Sequence, residues 1–217
     1  MKWRDLLFRR QPPIADLEAL ADFIDAQSAF LIQKGIFEYS RARAGHYAKV
    51  MFSEPEFVEA LERSRWTTYP MGLAMVGELV EGALRRHTDG TDPTLQCDKL
   101  HELVLSVFDR YPAPPAVGEQ RWAESRAELA TRLLQVRLHP PKRVIDIAEP
   151  YARLYWDLMP IHKEIRSRDL ATTRSYLKLT LCNIHDELGR RTDMEAVARL
   201  LAGPAGNAAG VPLPAEA

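Results

Sequence analysis

The chain is punctuated for helices almost from end to end. Ser53-Glu54-Pro55-Glu56, Asp92-Pro93 and Thr192-Asp193-Met194-Glu195 are all helix-start signals. In each, a small polar side chain can cap free backbone N–H groups, and Pro or Glu follows where a first turn favours it. Between these starts the apolar residues recur three and four apart, the spacing of one buried helical face. Ile14, Leu17, Ala21, Ile24, Ser28 and Leu31 form one such stripe; Leu170, Leu177, Leu181, Ile184 and Leu188 form another. Gly35 is expected to end or kink the first helix. Pro70 is expected to open a new helix after one over 53–66. Only Val144–Ile147 is rich in β-branched residues. It is too short to found a sheet and reads as an extended lead-in to a helix capped by Asp146.

The expected fold is therefore all-α: a single-domain irregular multi-helix bundle of about nine helices over residues 14–201. A basic amphipathic extension, 1–13, precedes it. The Gly/Ala/Pro-rich tail 202–217 lacks periodicity and is expected to be disordered.

Length and charge narrow the function. A chain of 217 residues with 46% hydrophobic residues can bury one substantial core. A net charge of -1 excludes general nucleic-acid binding, which needs a basic excess for phosphate contacts. Cys97 and Cys182 are the only cysteines and read as free thiols in a reducing compartment. The most apolar run, 69–84, is interrupted by Glu78 and Glu81 and falls short of the ~20 residues a bilayer requires. No apolar signal region follows the basic first residues. A cytoplasmic location is expected, with peripheral contact at the inner membrane face as an option. Abundant Ala, and Arg in excess of Lys, suggest a GC-rich bacterial genome.

Common catalytic signatures are absent: no Gly-x-Ser-x-Gly elbow, no phosphate-binding glycine loop, no dinucleotide turn. His101-Glu102 begins like a helical zinc motif, but Leu105 stands where the second histidine belongs. Glu78 and Glu81 share one side of their helix with Ala74, Gly77 and Gly82 and read as surface charge or a small-residue helix contact. Trp66, Trp122 and Trp156 lie in or beside apolar stripes and read as core. No catalytic residue and no cofactor is assigned.

Three constellations remain. His185-Asp186 is an adjacent His-Asp pair on a helix, with His162 upstream. It resembles the core of the all-helical HD hydrolases, in which histidines and aspartates from different helices ligate a metal that activates water. The resemblance implies metal-assisted phosphoester hydrolysis with His162, His185 and Asp186 as ligands and Asp193 as a more distant aspartate. Residues 38–49 carry Arg41, Arg43, His46 and Tyr47, which could grip a phosphate or carboxylate. The competing reading pairs Glu38 with Arg41 and packs Tyr39 and Tyr47 into the core. At the N-terminus, a helix would gather Trp3, Leu6 and Leu7 on one side, with Arg4, Arg9 and Arg10 among the rest. That suits a partner groove or an anionic membrane surface, with packing of the segment onto its own domain as the competing reading.

The leading expectation is a non-catalytic interaction or accessory protein with an unidentified protein partner. A small-ligand-binding or sensory domain with an anion site near Arg41, Arg43 and His46 is the alternative, and an HD-type phosphohydrolase the third.

Overall fold

The computed structural model describes residues 12–87 and 93–202. Over these the chain is all-α with no sheet; a single bridge joins Ile14 to Thr192. The 1–11 extension, with Trp3, Arg4, Leu6, Leu7, Arg9 and Arg10, lies outside the described residues, as does the tail from 203 onward.

The elements are α1 (Leu17–Ala29), a π-helical turn (Phe30–Lys34), α2 (Gly35–Ala44), α3 (Ala48–Met51), α4 (Pro55–Leu84), α5 (Pro93–Phe108), α6 (Glu119–Val136), α7 (Val144–Ile147), α8 (Glu149–Asp157), α9 (Leu170–Arg191) and α10 (Met194–Ala202). Taking the α1–α2 run and the α7–α8 pair as one each leaves eight helices among the described residues, one fewer than expected. The expected break at Pro70 is missing, and at Gly35 the helical path continues through a π turn.

Gly35 does not end a helix. The chain runs from α1 to α2 through the widened turn, whose carbonyls are met by side chains from elsewhere: Tyr155 donates to the Ile32 carbonyl at 2.9 Å and Tyr176 to the Leu31 carbonyl at 3.1 Å. Pro70 likewise sits inside α4. Its ring removes one backbone donor, but tertiary packing holds the helix on both sides of the gap. Ser64 on the preceding turn donates to the Leu158 carbonyl at 2.6 Å and so ties α4 to the end of α8.

The Ser53 cap is also corrected. Its hydroxyl donates backward to the Val50 carbonyl at 2.7 Å, closing the α3 turn, and α4 begins two residues later with Pro55 in its first turn. Val144–Ile147 is a helical turn and not an extended lead-in, because Asp146 is held by Arg143 within the turn. By contrast, Asp193 does cap α10, accepting from the Ala196 amide at 3.0 Å, and Asp16 caps α1 through the Ala19 amide at 2.7 Å.

α4 is the spine. It packs against α1, α5, α6 and α9, and residues 72–81 are all buried. A helix apolar on every side belongs in the centre of a bundle, which is why this run reads as nearly membrane-like. α1 approaches it closely at Gly72, where an added Cβ would stand 2.9 Å from the Ser28 carbonyl oxygen. Phe108, Trp122, Trp66, Tyr69 and Tyr111 form an aromatic cluster at one side. Asp25 accepts from both the Tyr69 and Tyr111 hydroxyls, at 2.7 and 2.8 Å. None of the helices among the described residues is long and apolar enough to cross a membrane.

Candidate functional site

Residues 41–60 contain no buried residue, although they continue the helical path through the end of α2, α3 and the start of α4. The segment stands proud of the bundle as a helical corner. Its turn is set by Gly45, whose φ of 55° lies in the region that glycine adopts without steric cost. Three rings link the corner: Phe37 and Phe52 at 4.9 Å between centroids, then Phe52 and Phe57 at 5.1 Å. Phe37, Tyr47, Val50 and Val58 are exposed, as is Phe30.

This corner also carries the arginines that the sequence offered as an anion site. Arg41 is exposed and paired with Glu38 at 3.0 Å. Arg43 reaches the buried Asp169, which also accepts the Tyr39 hydroxyl at 2.6 Å. Burial first, and then that hydrogen bond, push Tyr39 up to about 12; Asp169 raises Arg43 further above its ordinary range. The His46 and Tyr47 rings touch at a tilt, centroids 4.1 Å apart, and Tyr47 is 66% exposed. Tyr47 therefore does not pack into the core, whereas Tyr39 does, in part. Arg43 fastens the corner to the start of α9 through Asp169. Arg41, His46 and Lys49 give the α2–α3 leg a basic outer rim.

The histidines of the HD-type reading lie apart. His162 is exposed in the loop after α8, and its ring accepts only from the nearby Glu164 amide at 3.4 Å. His185 is half-buried on α9 beside the exposed Asp186, with 3.7 Å between them. The hollow next to them is lined by Asn183, Glu187, Gly189 and Arg190, without His162.

Instead, the described residues bring together a group that sequence reasoning passed over: Glu81, Cys97 and His101, all buried, with one ligand atom from each within 4.8 Å of the others. Cys97 and His101 are four apart on α5 and so stack on one face, with Sγ and Nε2 separated by 3.4 Å. Glu81 comes from α4 and accepts from the Cys97 thiol at 3.1 Å. Glu78 and Glu81 are thus not surface charges. Glu78 Oε1 lies 2.7 Å from Lys142 Nζ, near enough for an ion pair without hydrogen-bond alignment. Arg85 donates to Glu81 through Nε at 2.9 Å and also through Nη2, and reaches the Val136 and His139 carbonyls at 2.9 and 2.7 Å. It therefore holds Glu81 in place while closing the end of α6.

The group is electrostatically muted. Burial, reinforced by the Glu81 carboxylate, pushes the Cys97 thiol up to about 12, and burial lowers His101. A neutral thiol beside a neutral imidazole is no nucleophile at physiological pH. The signal that could have found it is Cys97-x-x-x-His101, a stacked ligand pair on one helix; its third member is supplied by the fold alone.

Comparison with known proteins adds no assignment: no family profile, curated protein or solved structure matches the chain.

Proposed function

We propose that this protein is a helical accessory protein that docks a partner protein through the corner formed by the end of α2, α3 and the start of α4. The observation that carries the reading is a twenty-residue-scale helical segment, 41–60, with no buried residue, whose Tyr47 and Val50 are exposed and whose Phe52 packs on the exposed Phe37. Short helices are marginal in water without an apolar face to bury, and these turns find little of their own domain to bury it on. The matching occupant is an amphipathic helix whose apolar stripe covers Phe37, Val50 and Phe52 and whose acidic flank meets Arg41, His46 and Lys49. Two free cysteines support a reducing, cytoplasmic setting for that encounter.

A photo-crosslinking residue at position 47, compared with one at the equally exposed Leu179 on α9, tests this in cells of the source organism. The expected result is a discrete protein adduct from position 47 alone, abolished by Val50→Asp. An adduct of twice the chain's mass, a lipid adduct, or the same adducts from both positions would overturn the reading.

A further inference from the structure

The buried group at the α4–α5 contact has the composition and spacing of a metal centre. We propose that Glu81, Cys97 and His101 bind one zinc-class divalent ion, independently of the docking corner.

Geometry comes first. Bonds of about 2.3 Å to sulfur and about 2.0–2.1 Å to nitrogen or oxygen, at tetrahedral angles, separate neighbouring ligand atoms by roughly 3.5 Å. The Cys97 sulfur stands 3.4 Å from His101 Nε2 and 3.1 Å from Glu81 Oε1, so small rotations suffice. Ligands four apart on one helix, joined by one from a neighbouring helix, are already held in place by packing.

Ligand chemistry selects the ion. One sulfur, one imidazole nitrogen and one carboxylate suit Zn(II) and its substitute Co(II); Mg(II) and Ca(II) require all-oxygen cages. Binding is a balanced exchange in which the ion displaces the thiol proton to solvent and the thiolate becomes a ligand. Arg85 donates to that same Oε1 and so fixes the ligating carboxylate by hydrogen bonds.

A second observation points to what completes the site. The Gln96 side-chain amide nitrogen is buried and has no hydrogen-bond acceptor. Gln96 lines a cavity of about 10 Å³ together with Glu81, Arg85 and Cys97. That is about the room one water needs. A hydroxide or similar small anion in the fourth position would give Gln96 its acceptor. Three protein ligands and one exogenous oxygen would make a four-coordinate centre. The cavity is far too small for a substrate, so the ion would tie α5 to α4 and not run hydrolysis.

The test is titration of the full-length, chelator-dialysed protein with Co(II). One equivalent is expected to produce a thiolate-to-cobalt charge-transfer band in the near ultraviolet and the visible bands of a four-coordinate ion, both bleached by Zn(II). Cys97→Ala, His101→Asn and Glu81→Gln should each weaken uptake by about tenfold or more, whereas Cys182→Ala leaves it unchanged. Circular dichroism identifies any variant that fails to fold; Glu81→Gln, which keeps volume and an Arg85 contact, then carries the comparison. A wild-type protein with no charge-transfer band, or a band that survives in Cys97→Ala, would overturn the proposal and leave Cys97 a hydrogen-bonded thiol.

Discussion

The Tyr155 hydroxyl donates to the Ile32 carbonyl across 123 positions of sequence, and the same oxygen blocks the space where a Cβ on Gly35 would stand, 2.5 Å away. Tyr176 flanks it, bonding Leu31 and closing on Gly35 from the other side. The π turn, the glycine that follows it and the two tyrosines are one arrangement. At the widened turn the Ile32 carbonyl accepts from the Gly35 amide as well as from Tyr155, and the missing side chain lets the two phenols reach in.

Gly35→Ala is accordingly expected to destabilise, against the intrinsic helix preference that favours Ala by about 1 kcal/mol. Overpacking of this kind costs about 1–3 kcal/mol. Tyr155→Phe removes one of two donors to the Ile32 carbonyl, the Gly35 amide remaining, for about 0.5–1.5 kcal/mol. Urea unfolding of both variants checks the sign: a stabilised Gly35→Ala would show that the turn relaxes.

Arg166, 3% exposed, holds the loop between α8 and α9. It donates to the carbonyls of Ile161 and Asp157 at 2.8 and 2.9 Å and to that of Trp156, whose indole it also covers at 4.4 Å. A lysine cannot reproduce that fork. Arg166→Lys is expected to cost about 3 kcal/mol, since several buried carbonyls lose their donor. Limited proteolysis should then cut first within 158–169; an unchanged cleavage pattern would refute the role.

Asp109 and Arg126 join α5 to α6 through two hydrogen bonds, at 2.7 and 2.6 Å, which hold the Asp109 carboxyl below its ordinary value. A folded-state value below the unfolded one means stability that is present above about pH 4 and lost as pH falls through the depressed value. Both side chains are nearly half exposed, so solvent screening keeps the contribution below about 1 kcal/mol. Asp109→Asn should be slightly less stable than wild type at pH 7 and indistinguishable from it near pH 2. Equal stability at both would show the pair contributes nothing.

The two thiols should separate by reactivity. Cys97 is buried and held neutral, while Cys182 is half-buried on α9. Iodoacetamide at neutral pH is expected to label Cys182 at least tenfold faster, because thiolate and access are both lacking at Cys97. Peptide mass spectrometry after timed quenching reads the ratio; equal labelling would contradict the burial of the α4–α5 contact.

The sequence carried the helices and lost the junctions. Asp193 was legible as a cap because its action is local, whereas Ser53 has the same chemistry and spends its hydroxyl on Val50. Pro70 and Gly35 both look like breaks; long-range partners, Leu158 for Ser64 and the tyrosines for the π turn, carry the chain across. The corner was visible as charge and aromatics, yet only the fold shows that Tyr47 faces water and Tyr39 does not. Cys97 and His101 stood at ligand spacing on one helix. Glu81 lies sixteen residues before Cys97 in a run that reads as apolar filler, and nothing local links it to them.

A helix buried on every side has no solvent-facing positions on which harmless variation can accumulate. In a library of random variants, the α4 stretch 72–81 should therefore form a continuous block of intolerance, without the every-third-residue relief seen on two-sided helices such as α6. That unbroken block, and not the varied corner, is the stretch of sequence by which distant kin of this fold would be traced.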